Sequence, residues 1–152
     1  MTVYLIRHAK AGSRVKWTGP DDLRPLSKPG CRQAEGIAEL LADAGIARII
    51  SSPHVRCRQT VEPVSARCGV SIEVSDSLAE GAPLDEALTL FDKVASENAV
   101  LCSHGDVIGA LLWFFENRGV RLDDHRVEKG STWVLEVERG TVVAARYLAP
   151  PA

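Results

Sequence analysis

The sequence carries little net charge and lacks a long apolar run. Its 152 residues include 18 basic and 20 acidic side chains, which leaves a formal net charge of -2. This balance gives no global electrostatic reason to expect a nucleic-acid or membrane surface, so any phosphate site must be local. The best apolar stretch, 107–115, is far too short to span a bilayer. Polar residues at 7, 8 and 10 interrupt the apolar start, and we expect no signal peptide.

Metal-binding and serine-hydrolase patterns are also absent. No Cys-x-x-Cys pair and no His-Glu-x-x-His stretch occurs, although both spacings are typical of zinc sites. This argues against zinc held by the four histidines and four cysteines, and we expect neither a metal nor a cofactor. No Gly-x-Ser-x-Gly stretch occurs, which argues against a serine hydrolase. The cysteines are expected to be reduced thiols in a cytoplasmic protein.

Apolar strands alternate with amphipathic helices along most of the chain. The patterns predict strands at 2–6, 47–51, 71–74 and 99–103. They predict helices at 27–44, from Pro53 to Cys68 with a kink at Pro63, at 84–95 and at 106–118. The last of these is apolar nearly all round, so we expect it to be deeply buried. Alternation at 132–138 and 142–148, around Arg139-Gly140, predicts an antiparallel hairpin.

This order of elements predicts an α/β fold in one domain covering residues 1–152. A succession of strand and helix is typical of a largely parallel sheet with helices on both faces. We therefore expect a three-layer α/β/α sandwich whose sheet is mostly parallel, with the C-terminal hairpin adding antiparallel pairing at one side. The long polar stretch 9–26 is a candidate functional loop.

Polar side chains follow three of the predicted strands. Arg7 and His8 come directly after the first strand. Ser51, Ser52 and then Arg56 follow the second, and His104 follows the strand at 99–103. Ligands in parallel α/β sheets bind beyond the carboxyl ends of the strands. Two histidines and two arginines are therefore expected to meet at one edge of the sheet.

This combination of residues suits a phosphoryl group. An arginine presents a planar fork of donors that can hold phosphate oxygens at two points. The helix starts after Ser52 and His104 would add backbone N–H donors. A neutral histidine can attack phosphorus and carry the phosphoryl group covalently, while a second histidine stabilises the charge that develops on the oxygens.

Four stretches, in order, resemble the histidine phosphatase (phosphoglycerate-mutase-like) superfamily. They are LIRHAKAG, LSKPGCRQAE, SSPHVRCRQT and LCSHGD, and the resemblance runs from residue 2 to about 115. The resemblance implies that His8 is the nucleophile that becomes phosphohistidine. It also implies that Arg7 and Arg56 hold the phosphoryl oxygens and that His104 completes the pocket.

The resemblance further implies a glutamate that protonates the leaving oxygen and then activates water. Glu80, in SLAEGAP, occupies the position expected for this general acid. Glu62, Glu73 and Glu86 are nearby in sequence and remain alternatives.

One departure from the family pattern indicates which branch of the superfamily the chain resembles. The glycine that usually follows the Arg-His pair is replaced by Ala9. Together with the short chain, this resembles the small SixA-type phosphohistidine phosphatases. Residues 7–26, in the pattern RHAKAG…W.G.DDLRPL, also resemble the phosphatase half of actinobacterial Nudix-linked proteins, for which nucleotides are the implied substrates. Both resemblances favour a phosphatase over a mutase.

Substrate recognition is expected mainly in the 9–26 loop. Lys10, Arg14 and Lys16 are candidates for binding further phosphates, and Trp17 for stacking on a base or packing as a lid. Ser52 is a further substrate-binding candidate. His54 is expected at the pocket edge, and His125 on the surface.

Three hypotheses remain open on the sequence. The enzyme hypothesis divides into a phosphatase for phosphohistidine on a protein partner and one for a small phosphomonoester such as a nucleotide. The third hypothesis is a non-catalytic domain that senses phosphate or binds a partner. Neither a nucleic acid nor a membrane is expected as partner, and the sequence does not indicate an oligomeric state.

Overall fold

Six strands form one sheet in the computed structural model, which describes residues 1–152. They are β1 (Thr2–Arg7), β2 (Arg48–Ser51), β3 (Ile72–Val74), β4 (Ala99–Ser103), β5 (Thr132–Glu138) and β6 (Thr141–Leu148). Their order in the sheet is β3-β2-β4-β1-β5-β6. β1 to β4 pair in parallel, whereas β5 and β6 form an antiparallel hairpin attached to β1. The predicted fold class is confirmed.

Two helices cover each face of the sheet. α1 (Lys28–Leu40) and α2 (Val55–Cys68) pack on one face, and α3 (Leu84–Val94) and α4 (Gly105–Asn117) pack on the other. Successive side chains of β1 point to opposite faces, which is why Leu5 packs with α4 and Ile6 packs with α1. None of the four helices is long and apolar enough to cross a bilayer.

Two details of the predicted helices are wrong. α1 ends at Leu40 rather than at residue 44, because the chain tightens into i to i+3 bonds such as Ala42 N–H to Glu39 O (3.3 Å) before Gly45 takes a φ of 67°. α4 is not buried all round, since Trp113 is 60% exposed. One face of α4 packs on the sheet and the opposite face meets solvent. α2 continues through Pro63.

The start of the 9–26 loop is fixed against α1. Lys10 O accepts hydrogen bonds from the N–H and the hydroxyl of Ser27, both at 3.0 Å. The N–H of Lys10 donates to Gln33 Oε1 at 2.9 Å. A Cβ atom on Gly30 would lie 1.9 Å from Lys10 O, so only glycine permits this close approach. The contact places Ala9 and the residues after it directly beside the end of β1.

We expect Gly30→Ala to destabilise the protein by about 1–3 kcal/mol, because the new methyl group must displace the Lys10 backbone. Urea unfolding followed by circular dichroism measures the effect. Gly109→Ala is the matched control, since its Cβ would meet no atom within 4 Å on α4 and alanine favours a helix. Equal urea midpoints for Gly30→Ala and Gly109→Ala would contradict the close approach of Gly30 to the backbone oxygen of Lys10.

Candidate active site

A cavity of about 570 Å³ opens at the carboxyl ends of β1 and β4. Five of the predicted site residues line it: Arg7, His8, Arg14, Glu80 and His104. The other lining residues are Ala11, Gly12, Ser13, Arg24, Gly105, Asp106 and Lys129. The residues that the motifs place after separate strands therefore meet at one edge of the sheet.

His8 is 5% exposed, and one nitrogen of its ring contacts a backbone oxygen. Its Nδ1 lies 2.9 Å from the backbone oxygen of Ala9. Because a carbonyl oxygen only accepts, this contact places the proton on Nδ1 and leaves the lone pair on Nε2. Burial, and to a smaller extent the neighbouring His104, Arg56 and Arg7, lower the pKa of His8 to about 3. His8 is therefore a neutral imidazole at neutral pH, with Nε2 available as a nucleophile.

His104 lies edge-on to His8, with ring centroids 5.4 Å apart. It is the N-cap residue of α4 and is 2% exposed. Its Nε2 lies 2.9 Å from the hydroxyl oxygen of Ser52 and 3.6 Å from the sulfur of Cys57. Its Nδ1 is buried and has no partner within the protein. A phosphoryl oxygen in the cavity would satisfy this second nitrogen.

Arg7 is the last residue of β1, and its side chain lines the cavity. Its Nη1 donates to the backbone oxygen of Val127 at 2.6 Å, and its buried Nε has no partner. A Cβ on Gly105 would lie 3.0 Å from the Arg7 guanidinium carbon, so a glycine at the start of α4 makes room for this side chain. Burial lowers the pKa of Arg7, which nevertheless stays charged at neutral pH.

Arg56 is fully buried and does not line the cavity. Its Nη1 donates to the backbone oxygen of Asp21 at 2.8 Å, and its Nη2 lies 3.1 Å from Asp21 Oδ2 and 3.7 Å from Glu80 Oε1. Its Nε is buried without a partner. The guanidinium thus joins the 9–26 loop to the segment that carries Glu80.

Glu80 lies at the cavity, with its side chain 45% exposed. Its carboxylate is 3.9 Å from Arg14 Nη2 and 3.7 Å from Arg56 Nη2. The next residue, Gly81, donates its N–H to Asp106 Oδ2 at 2.8 Å, which ties this loop to α4. Glu62, Glu73 and Glu86 do not line the cavity.

Four of the five predicted substrate-binding residues lie outside the cavity lining. Lys10 lines a separate depression with Gln33, because the bonds to α1 turn it away from the cavity. Lys16 is exposed, and the indole N–H of Trp17 donates to Pro20 O at 2.8 Å. Ser52 is buried behind His104.

The two remaining histidines differ in their surroundings. The ring of His54 packs edge-on to the ring of His104, at 4.5 Å between centroids. His125 is 74% exposed and contacts Glu116 at 3.0 Å, so it lies on the surface as expected.

The cavity lining also contains three charged residues that the sequence motifs do not predict: Arg24, Asp106 and Lys129. The sequence places Lys129 just before the predicted hairpin, and the structure adds which strand that hairpin pairs with. β5 runs antiparallel to β1, with Thr132 opposite Ile6, so the residues just before β5 reach the carboxyl end of β1. No comparable signal marked Arg24, because the loop conformation decides where it points.

We expect His8 to make the protein less stable in acid. The folded protein holds the pKa of His8 near 3, whereas the unfolded chain has the ordinary value of 6.5. Between these values the unfolded chain binds a proton that the folded protein does not, so the free energy of unfolding falls as pH drops from 6.5 towards 3. The expected slope is at most about 1.4 kcal/mol per pH unit. Urea unfolding of the wild type and His8→Ala from pH 7 to pH 4 should show a shallower decline in the variant; parallel curves would contradict the neutral His8.

Comparison with known proteins agrees with the motifs. A family model described as histidine phosphatase superfamily (branch 1) matches residues 3–83. The chain is also 36% identical to the 8-oxo-(d)GTP phosphatase of Mycolicibacterium smegmatis, in an alignment that covers 99% of this chain. The chain spans only 48% of that relative's length.

Solved structures of SixA proteins share the fold along the whole chain. The protein histidine phosphatase SixA complexed with tungstate superposes with a TM-score of 0.77 at 20% identity, covering 98% of this chain and 95% of SixA. SixA from Agrobacterium tumefaciens superposes with a TM-score of 0.74 at 28% identity, covering 98% and 97%. Motifs, family model and fold agree, and the chain belongs to the histidine phosphatase superfamily, branch 1.

Proposed function

We propose that this chain is a phosphatase that hydrolyses a phosphomonoester or a phosphohistidine through a covalent phosphohistidine intermediate on His8. The observation that carries the proposal is the state of His8: its Nδ1 is engaged by Ala9 O and its imidazole is neutral. Its lone pair therefore lies on Nε2, at a cavity lined by Arg7 and His104. A neutral nitrogen nucleophile beside cationic and N–H donors is what attack on a phosphate dianion requires.

The proposed reaction has two displacements at phosphorus. His8 Nε2 attacks the phosphoryl group and the bond to the leaving oxygen or nitrogen breaks. Water then attacks the phosphohistidine and releases inorganic phosphate. Arg7 and His104, which line the cavity, hold the phosphoryl oxygens in both steps, and each has a buried nitrogen that lacks a protein partner. Arg56 lies outside the lining, so its proposed hold on a phosphoryl oxygen requires its guanidinium, whose Nε also lacks a partner, to shift from its contacts with Asp21 and Glu80. No metal or cofactor takes part in this proposal.

Glu80 is the proposed general acid and base. It is supported by its place in the cavity lining and by the bond from Gly81 to Asp106, which holds its segment over the cavity. As an acid it would give a proton to the leaving oxygen, and as a base it would take one from the attacking water.

We expect Glu80→Gln to slow the hydrolysis of poor leaving groups most. An alkyl phosphate needs a proton on its leaving oxygen, whereas p-nitrophenolate leaves without one. The expected loss in kcat/KM is about 10²-fold for an alkyl phosphate and less than about tenfold for p-nitrophenyl phosphate. Glu86→Gln on α3 is the control, since Glu86 lies outside the cavity lining. Equal slowing of both substrates by Glu80→Gln would argue against a general acid at this position.

Two substrate classes are consistent with this chemistry. A phosphohistidine on a protein partner is supported by the SixA neighbours, which have this fold over nearly the whole chain. A nucleotide is supported by the relative named as an 8-oxo-(d)GTP phosphatase. A screen of phosphohistidine peptide, nucleotides and sugar phosphates tests the proposal and separates the two classes. Phosphate release from none of them would argue for a non-catalytic, phosphate-binding domain.

A further inference from the structure

The cavity contains more positive charge than one phosphoryl group needs. Arg14, Arg24 and Lys129 line it in addition to Arg7. Only two carboxylates, Glu80 and Asp106, line it with them. Both oxygens of Asp106 already accept backbone N–H groups, from Gly81 at 2.8 Å and from Val107 at 2.9 Å. Among the lining residues, Arg14, Arg24 and Lys129 thus exceed the two carboxylates by one charge. Asp21, outside the lining, lies 3.7 Å from Arg14 and 3.1 Å from Arg24, so Lys129 is the cation of the three that no carboxylate offsets.

Arg24 is a rigid part of this lining. It is 4% exposed, its Nε donates to Asp21 Oδ1 at 3.1 Å, and its Nη1 donates to Gly12 O at 2.7 Å. Its Nη2 has no hydrogen-bond partner within the protein. Because the guanidinium of Arg24 is already held in place and its Nη2 is free, it can bind an anion with little further loss of side-chain conformational entropy.

Lys129 is placed beside the nucleophile by backbone bonds. The N–H of Gly130 donates to the backbone oxygens of Arg7 (3.1 Å) and His8 (3.0 Å), which fixes Lys129 at the end of β1. No carboxylate forms an ion pair with its ammonium group. Burial lowers the pKa of Lys129, and the positive charges of Arg7, Arg24, Arg14 and Arg56 lower it further. The ammonium group of Lys129 therefore lies near four arginines and has no carboxylate partner.

We propose that Arg24 and Lys129, together with Arg14, bind a second phosphate next to the one that is transferred. The preferred substrate class is then a phosphoanhydride, such as a nucleoside diphosphate, rather than a single phosphomonoester or a phosphohistidine. This inference rests on the proposed phosphatase function and specifies the substrate of the same site. It differs from the sequence prediction, which assigned further phosphates to Lys10, Arg14 and Lys16.

The subsite also fits the chemistry of an anhydride. His8 Nε2 forms a bond to the terminal phosphorus while the bond from that phosphorus to the bridging oxygen breaks. The bridging oxygen keeps the electron pair and leaves as an oxygen of the shortened phosphate chain. Water then hydrolyses the phosphohistidine, releasing inorganic phosphate and a proton. The leaving group departs as an anion, so neighbouring cations stabilise it directly.

The kinetic test compares GDP, GMP and p-nitrophenyl phosphate. We expect the wild type to have a kcat/KM for GDP at least about tenfold above that for GMP, since a charge-assisted contact to a second phosphate is worth about this much or more. In Lys129→Ala, the ratio of kcat/KM for GDP to that for p-nitrophenyl phosphate should fall about tenfold or more. Lys28→Ala, an exposed lysine at the start of α1, is the matched control and should leave this ratio unchanged.

A binding test separates the subsite from turnover. Methylenediphosphonate and methylphosphonate, neither of which can be hydrolysed, compete with p-nitrophenyl phosphate. We expect the diphosphonate to inhibit the wild type at least about tenfold more tightly than the monophosphonate, and Lys129→Ala to narrow that gap. If the wild type hydrolyses p-nitrophenyl phosphate but the diphosphonate binds no tighter, the second-phosphate subsite is wrong and the phosphatase function stands. If the wild type hydrolyses neither p-nitrophenyl phosphate, GDP and GMP nor a phosphohistidine peptide, the phosphatase function itself is wrong.

Discussion

Replacing His8 with alanine is expected to lower kcat/KM for p-nitrophenyl phosphate by a factor of about 10⁴ or more. The reaction proposed for this site passes through a bond from His8 Nε2 to phosphorus, and alanine offers no atom for that bond. Arg7 and His104 would still bind phosphate, so the variant should lose turnover while retaining affinity for inorganic phosphate. Initial rates and competitive inhibition by phosphate measure the two quantities.

Two controls make this result specific. His8 is nearly buried, so circular dichroism and thermal unfolding must show that His8→Ala remains folded. His125→Ala removes an exposed imidazole that contacts a surface glutamate, and the activity of this variant should stay within twofold of the wild type. A folded His8→Ala with normal turnover would rule out nucleophilic catalysis at this residue.

Arg56→Lys is expected to cost about 10²–10³ in kcat. Lysine retains the positive charge but replaces a planar fork of donors with a single ammonium group. The guanidinium of Arg56 has a buried Nε without a partner, and its two Nη atoms contact Asp21 and Glu80. The substitution should therefore weaken the hold on the phosphoryl oxygens and, at the same time, the link between the 9–26 loop and the Glu80 segment.

Arg48→Lys is the matched control for this substitution. Arg48 forms a surface pair with Glu73 at 2.8 Å and lies far from the cavity lining. Exposed ion pairs contribute little to stability, and we expect unchanged kinetics. If Arg56→Lys is folded and retains kcat within threefold of the wild type, Arg56 has no part in transition-state stabilisation.

The convergence of Arg7, His8 and His104 could be predicted from the sequence because parallel strands impose it. Their carboxyl ends meet at one edge, so residues that directly follow strands are brought together whatever the loops do. β1 and β4 are direct neighbours, with Arg7 opposite Ser103, which places His104 beside the Arg-His pair. The fold class followed from the same alternation of strands and helices.

The substrate-binding residues could not be predicted in this way because they lie on loops. Lys10 and Arg14 are four residues apart, yet the bonds to α1 turn Lys10 away while Arg14 faces the cavity. Arg24 points inward because Asp21 and Gly12 O bind its guanidinium. Such contacts depend on the whole loop conformation, and periodicity carries no information about them.

Trapping the phosphohistidine intermediate tests nucleophilic catalysis by His8 most directly. The protein is mixed with p-nitrophenyl phosphate, quenched within milliseconds in alkali, where phosphohistidine survives, and digested for mass spectrometry. Nucleophilic catalysis by His8 predicts a phosphoryl group on its Nε2, in the peptide that contains Arg7 and Ala9, and none in His8→Ala. Turnover without a phosphoryl group on His8, or with one on His104 instead, would contradict it.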